Sequence, residues 1–570
     1  MAFGLVVLGY SCLAMGSQVQ VQVEGDYGAL EDNARIFVGE VEGRTGDGLR
    51  RYAPTAIEQV KEALRALGYY SPKISWEVNE GEEGLAELLL TVVPGEPVRV
   101  RQRKVVISGP GKEDTELLGR LPEQPRVGDV LNHGEYDNLR QSLQNSAGRL
   151  GYFDGEFEAR ELKVDPLKKV ADIDLRFRSG SRYRLGPVTF LEGHGFDQSL
   201  LDQFVTFEPG DPFHAGEVAK LSRDLSNSGY FSGVDLDASP NSAEDGVIPV
   251  TIGLTPRERR SLAAGVGFST DVGPRFRGNW REHYTNSMGH RRGLDTELSE
   301  LRQNISGWYE LPLDPPMTDS IRLSTGYQRE QVEDVESELL TLGQQWRHQL
   351  DNGWMQVLAI RWEGERYTIG EDDENTSSLM LPSIGYSRLE SNSPLDPSKG
   401  FRLQVDVTGA HRAALSDADI LHVNFLARGL YTLADNHRFL ARFNVGGVAT
   451  NQFSDVPPSL RFFAGGDQSV RGYAYETLSP TDEDGAAVGG RYLVVGSAEY
   501  QYEFAKNWRV AAFIDEGNAV DDIFDPLATG VGMGIRWVSP VGPLRLDLAQ
   551  GLNESFGGDW RVHFSMGPEL

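Results

Sequence analysis

The sequence predicts a two-part protein. Three α+β repeats of βααββ order come first, followed by an all-β, antiparallel transmembrane barrel of about sixteen strands. Three observations carry this reading. A Gly-Tyr-aromatic triplet recurs in the first half, and apolar and polar residues alternate in segment after segment of the second. The texture changes from one to the other near residue 258.

The triplets are Gly68-Tyr69-Tyr70, Gly151-Tyr152-Phe153 and Gly229-Tyr230-Phe231, about eighty residues apart, the size of a small domain. Each closes an amphipathic helix. Ile57, Val60, Leu64 and Leu67 fall on one face of the first. Tyr136, Leu139, Leu143 and Leu150 mark the second, and Val218, Leu221 and Leu225 the third. Thr55 and Glu58 have the spacing of a capping box, which places the start of the first helix there. The triplet glycine supplies the left-handed conformation that helix C-termini favour. Gly128-Asp129 and Gly210-Asp211 lead into the second and third helical stretches. Strands follow each triplet, among them Glu87–Val93, Val170–Phe177 and Val247–Leu254.

From Ser261 onward the period becomes two. Trp560, Val562, Phe564 and Met566 alternate with Arg561, His563, Ser565 and Gly567; Leu544, Leu546 and Leu548 alternate with Arg545, Asp547 and Ala549. An apolar face that recurs strand after strand, with charge opposite it, is the pattern of a lipid-facing wall around a wet lumen. A soluble sandwich places its polar face outward instead. Turn-rich segments such as Gly370–Ser378 and Ser479–Gly490 read as extracellular loops, and the His290-Arg291-Arg292 cluster as a turn or a headgroup contact.

Composition narrows the function classes. The 65 glycines in 570 residues exceed the ~7% usual for soluble domains and suit a turn-rich β protein. A formal net charge of −29 argues against nucleic acid, whose phosphates need a basic footprint. No nucleophile elbow, phosphate loop or metal-spaced His cluster is present, so neither an enzyme nor a cofactor is expected. Residues 1–16 read as a signal peptide cut before Ser17, and the one cysteine, Cys12, lies within it.

The most specific motif is Phe463-Ala464-Gly465-Gly466 followed by Ser469-Val470-Arg471-Gly472-Tyr473, in the longest stretch between strands, roughly Asn451 to Gly490. A second is Phe513-Ile514-Asp515-Glu516-Gly517. Parity turns Val510, Ala512 and Ile514 outward, and so Phe513, Asp515 and Gly517 toward the lumen. Tyr500, Tyr502 and Phe504 outward likewise turn Glu499 inward. A guanidinium desolvated beside these acids needs a carboxylate partner. Together with Gly532-x-Gly534 and Pro540-Val541-Gly542-Pro543-Leu544-x-x-Asp547, these motifs resemble the outer-membrane insertase superfamily. The N-terminal repeats resemble its periplasmic POTRA domains.

The resemblance implies POTRA domains at 17–99, 100–181 and 182–257 and a barrel over 258–570. It implies that the loop motif Val470, Arg471, Gly472 and Tyr473 folds back into the barrel onto Glu499, Phe513, Asp515 and Gly517. Three POTRA domains, and an ending Met566-Gly567-Pro568-Glu569-Leu570 without a terminal aromatic, are most similar to the TamA branch. That branch implies insertion of autotransporter-type clients into outer-membrane lipid, with a TamB-like inner-membrane-anchored periplasmic partner. Gly265 and Gly267 in the first strand and Phe564 and Gly567 in the last mark an expected lateral gate, since strand-interior glycine and a proline-limited final strand both weaken a sheet. A lumenal transporter for a secreted substrate, or a bridge for lipid transport, are the alternative readings.

Overall fold

The computed structural model describes residues 18–80, 86–434, 436–539 and 542–566. The expected signal peptide with Cys12, the dipeptide Pro540-Val541 and the tail from Gly567 lie outside these residues.

The first repeat runs β1 (Val19–Val23), α1 (Gly28–Val38), α2 (Gly46–Ala66), β2 (Lys73–Glu80) and β3 (Ala86–Val93). The second is β4 (Arg99–Ser108), α3 (Thr115–Gly119), α4 (His133–Arg149), β5 (Glu156–Asp165) and β6 (Val170–Arg178). The third is β7 (Arg184–Phe190), α5 (Gln198–Asp202), α6 (Ala215–Asn227), β8 (Phe231–Asp237) and β9 (Val247–Pro256). Their sheets have the orders β1-β3-β2, β4-β6-β5 and β7-β9-β8. In the first two, the last strand is central, parallel to the first and antiparallel to the one before it. The chain divides into two compact units; the second holds the barrel together with Phe190–Thr206 and Leu221–Asp235 of the third repeat.

The triplets do more than end helices. Gly68, Gly151 and Gly229 have φ of +90°, +86° and +79°, where a side chain strains the backbone. The tyrosine after each is buried. In the first two, the third residue reaches the next repeat along the chain: Tyr70 shares a 2.6 Å hydrogen bond with His133, and Phe153 meets Phe213 edge-on at 5.0 Å.

Two expectations are corrected and a third is narrowed. Helix α2 begins at Gly46, capped by Thr45, whose hydroxyl accepts from the Gly48 N–H at 3.2 Å; Thr55 and Glu58 are interior. The helix carries Pro54 through its middle, losing one backbone bond. It persists because Leu49, Ala53, Ala56 and Val60 bury a continuous face, and packing outweighs propensity. Second, Asn375–Ser378 is strand rather than loop. The barrel strands there exceed the ~9–11 residues that cross a bilayer, so polar residues continue the ladder beyond it. The third is a narrowing: the His290-Arg291-Arg292 cluster leaves a turn, its His290 N–H donating to Asn286 Oδ1 at 3.1 Å, and the Arg291 guanidinium lies 4.3 Å from the centre of the Tyr230 ring and donates to the Ser228 carbonyl.

The barrel is one sixteen-stranded antiparallel sheet whose neighbours follow chain order. Its strands are β10 (Arg260–Ser269), β11 (Gly273–Glu282), β12 (Arg291–Ser299), β13 (Arg302–Pro312), β14 (Asp319–Val332), β15 (Val335–Gln349), β16 (Met355–Ile369) and β17 (Asn375–Ser391). They continue with β18 (Lys399–Ala410), β19 (Ile420–Leu433), β20 (His437–Thr450), β21 (Tyr492–Ala505), β22 (Trp508–Val520), β23 (Ala528–Ser539), β24 (Gly542–Gly551) and β25 (Trp560–Met566). Parity sorts the side chains. On β22, Val510 and Ile514 are exposed while Phe513 and Asp515 are buried; on β24, Leu546 and Leu548 are exposed while Asp547 and Ala549 are buried. Exposed aliphatic side chains outside and buried charge inside belong in lipid. No helix among the described residues is long and apolar enough to cross a membrane.

Candidate functional site: a loop clamp and an unladdered seam

The segment between β20 and β21, residues 451–491, is the sixth loop on the barrel end opposite the one where β9 enters. It does not extend into solvent. Val456, Leu460, Phe462, Ala464, Val470, Tyr473 and Leu478 form a buried cluster with Leu379, Leu381, Ile420, Leu493 and Val495 of the wall. Fully burying side chains of this size contributes about 1.5–3 kcal/mol each, so the loop is part of the barrel's core.

Arg471 is the centre of the loop's polar anchor. Its Nε and Nη2 donate to Asp515 at 2.7 and 2.9 Å, a bidentate pair, and its backbone N–H donates to the same carboxylate at 3.1 Å. Nη1 donates to Glu499 at 2.8 Å and to Asp547 at 3.2 Å. The guanidinium carbon stands 3.3 Å from the centroid of the Phe513 ring, a cation–π contact with little water to compete for it. The strand glycine Gly517 lies further along β22, where an added Cβ would fall 2.5 Å from the Val494 carbonyl oxygen.

The flanking residues complete the clamp. Gly472 has φ +93°, and a Cβ there would sit 2.4 Å from the Gly551 nitrogen, so both conformation and space demand glycine. Its N–H donates to His563 Nε2 at 3.1 Å. The Tyr473 hydroxyl donates toward the Thr529 carbonyl at 3.0 Å and receives the Asn553 N–H at 3.2 Å. Val470 is wholly buried.

Sequence reasoning missed part of this assembly. Arg536 donates to Glu499 at 2.8 Å and also pairs with Asp547, so two arginines share three carboxylates. On β23, Gly530, Gly532 and Gly534 line the lumen, and a Cβ at Gly530 would lie 1.9 Å from the Arg471 carbonyl oxygen. The signal was present in Gly532-x-Gly534, noted only as a superfamily feature, and in the inward parity of Asp547, which alternation alone leaves without a partner.

The seam is the second feature. No ladder joins β10 to β25 among the described residues; they are the two ends of the sheet order. β14, by contrast, pairs with β15 along all fourteen of its residues. Across the seam the Thr270 N–H donates to the Phe564 carbonyl at 3.2 Å, the Phe564 N–H donates to the Thr270 hydroxyl at 3.1 Å, and the rings of Phe268 and Phe564 lie 6.1 Å apart. Gly265 and Gly267 sit on β10 away from these bonds. A Cβ at Gly265 meets nothing within 4 Å, and one at Gly267 meets only the flexible Arg275 side chain. Close packing therefore does not explain these two glycines. Gly567 lies outside the described residues.

A sixteen-stranded barrel preceded by βααββ repeats, with an arginine loop clamped to lumenal acids, defines an outer-membrane barrel carrying periplasmic repeat domains. Residues 260–569 match the Omp85 superfamily domain, and the chain belongs to that superfamily. Residues 20–94 match the POTRA domain of TamA domain 1. It is therefore an outer-membrane barrel of Gram-negative type with its POTRA domains in the periplasm. Among relatives, the outer membrane protein assembly factor BamA of Nitratidesulfovibrio vulgaris is 26% identical over 442 residues, 73% of this chain and 55% of that one. BamA of Neisseria meningitidis serogroup B is 21% identical, over 87% of this chain and 70% of that one. The chain thus spans about half the length of the first of these relatives. The crystal structure of Haemophilus ducreyi BamA lacking POTRA domains 1–3 superposes with a TM-score of 0.68 at 17% identity, covering 82% of this chain and 99% of that one, a likeness of fold.

Proposed function

We propose that this chain is an assembly factor that inserts β-barrel proteins of the autotransporter type into the outer membrane through a lateral opening between β10 and β25. It works with a TamB-like periplasmic partner anchored in the inner membrane. The observation that carries the reading is the seam. Between β10 and β25 no ladder forms among the described residues, while the clamped loop is packed inside the barrel against the wall of β17 to β23. An unpaired strand edge in lipid is costly, and a client strand that pairs with it relieves that cost. A loop docked inside the barrel favours this route over passage of a secreted substrate through it. The match of the first repeat to a TamA POTRA domain favours the TamA branch and with it the TamB-like partner. In the periplasmic repeats, edge strand β2 presents a largely exposed face with Trp76 on it, suited to holding an extended client. No bond is broken and no cofactor takes part; the driving force is burial of client apolar surface and completion of its backbone bonds.

The test is a cysteine pair across the seam at Thr270 and Phe564, with neighbouring positions scanned, since the sequence's one cysteine is Cys12. Client insertion into vesicles is measured with the disulfide formed and after reduction. Blocked insertion restored by reduction supports the gate. Unchanged insertion by the locked protein overturns it and returns lumenal transport or lipid bridging to first place.

A further inference from the structure

The lumenal wall beside the clamp holds an arginine ladder that the insertase reading does not use. Arg402 on β18 stands directly opposite Arg428 on β19, and Arg428 directly opposite Arg442 on β20. All three have the inward parity of their strands; Phe425, Phe439 and Phe443 take the outward one. Directly opposed like charges destabilise a sheet. Arg545, from β24, lines the same cleft as Arg428 and Arg442.

Partners for these charges are scarce. Elsewhere on the inner wall the arginines are paired: Arg322 with Glu310, Arg361 with Glu363, Arg509 with Asp396. The chain has acids to spare, 84 against 55 basic residues. Yet among the described residues Arg428 and Arg545 have no carboxylate within ion-pair distance and no side-chain hydrogen bond, and the Nε atoms of Arg428, Arg442 and Arg545 are buried without an acceptor. Arg442 donates to the Ser469 carbonyl of the loop, and the clamp's one surplus carboxylate offsets its charge. Arg402 reaches Asp406 only through Gln404, by bonds of 2.9 and 2.7 Å. The carboxylates bordering the cleft are Glu499, already bound to Arg471 and Arg536, and Asp467, whose carboxyl shares a hydrogen bond with Asp271 and lies in the field of Arg545 without pairing with it at ion-pair distance.

We infer that this cleft is an anion site for a phosphate group, with Arg428, Arg442 and Arg545 as its ligands and Arg402 as the flanking charge. Guanidinium forks match phosphate oxygens bidentately, and one anion would both satisfy the orphaned donors and cancel the repulsion along the ladder. The cleft's volume of about 50 Å³ suits a small anionic group and is too small for a peptide segment. An outer-membrane protein meets that chemistry as free phosphate and as lipid headgroups. The site stands apart from the insertase reading, and its test involves no client.

The full chain, purified in zwitterionic lipid nanodiscs, is melted with inorganic phosphate, with short-chain phosphatidic acid, and with poly-glutamate, chloride holding the ionic strength constant. Phosphate should raise the melting temperature saturably. Arg428→Gln with Arg545→Gln should abolish that rise and, in phosphate-free buffer, melt above the parent because the repulsion is gone. Arg428→Lys, which keeps charge but loses the fork, should bind phosphate about tenfold more weakly, the loss of one charge-assisted bond. Protection by both phosphate probes assigns the bare phosphate group; protection by the lipid alone assigns the headgroup; both support the site. Protection by neither phosphate probe beyond that of matched chloride, an effect undiminished in the variants, or protection by poly-glutamate alone overturns it.

Discussion

Replacing Arg471 by alanine removes the hub of the clamp and leaves Asp515, with no exposed surface, without its bidentate partner. Glu499 and Asp547 then keep Arg536, and Asp515 keeps the Ser497 hydroxyl and the more distant charge of Arg442. Stripping one partner from a buried pair costs about 3–5 kcal/mol. The cation–π contact with Phe513 is lost as well, and burial of Val470 and Tyr473 keeps the remainder of the loop attached. Taking ~4 kcal/mol, the equilibrium for undocking the loop rises by a factor of roughly 10³. The assay is proteolysis at residues 451–491 in detergent, run where opening is fast relative to cleavage so that the rate tracks the open population. The cleavage rate should climb by about three orders of magnitude. Arg471→Met combined with Asp515→Leu should restore much of the protection, since no unpaired buried charge remains on that arm. A rate within tenfold of the parent for Arg471→Ala would refute the reasoning and assign docking to the apolar cluster alone.

Further outcomes follow from single positions. Gly530→Val should displace the loop and abolish the compact, heat-modifiable band on gels, because its Cβ would fall 1.9 Å from the Arg471 carbonyl, whereas Gly265→Val, in open space, should leave that band intact. Asp114 caps α3 in the second repeat: burial alone raises its carboxyl, but the Leu117 N–H, the Tyr152 hydroxyl at 2.9 Å and Arg182 outweigh this and hold it below its ordinary 3.8. A depressed carboxyl stabilises above the unfolded value and loses that contribution as pH falls through the folded one. Asp114→Asn should therefore cost about 1 kcal/mol in hydrogen-exchange protection of Thr115–Gly119 at pH 7, and the gap should close below pH 3.8. Burial and the bond to Asp114 push the Tyr152 hydroxyl up to about 12, so it remains the donor throughout. On the lipid face Leu546→Arg should lower the free energy of refolding into vesicles by about 2–4 kcal/mol, while arginine at lumen-lining Ser565 should be tolerated.

Period-two alternation turned Asp515 and Glu499 inward, and the triplet glycines located the repeats, because both signals are local. What escaped is set by register and curvature. Arg402, Arg428 and Arg442 form a ladder only once turn lengths have aligned three strands, and nothing in the alternation of any one strand reveals it. Asp547 and Arg536 share parity with many lumenal residues, and only the closing of the wall brings them within reach of Arg471. The start of α2 was misplaced for a different reason: Pro54 beside Thr55-x-x-Glu58 imitates a helix beginning, and the tertiary burial that carries the helix through it has no local signature.

The groups that hold Arg471-Gly472 lie 28, 44, 76 and 91 residues further along the chain, on Glu499, Asp515, Asp547 and His563. None of them precedes it. A chain delivered from its N-terminus therefore presents Arg471-Gly472 before any of these four partners exists, and Glu499, Asp515, Asp547 and finally His563 arrive in turn. The loop's docking consequently records completion: it can be fully made only when the last strand has taken its place, which gives the barrel a built-in check on its own assembly.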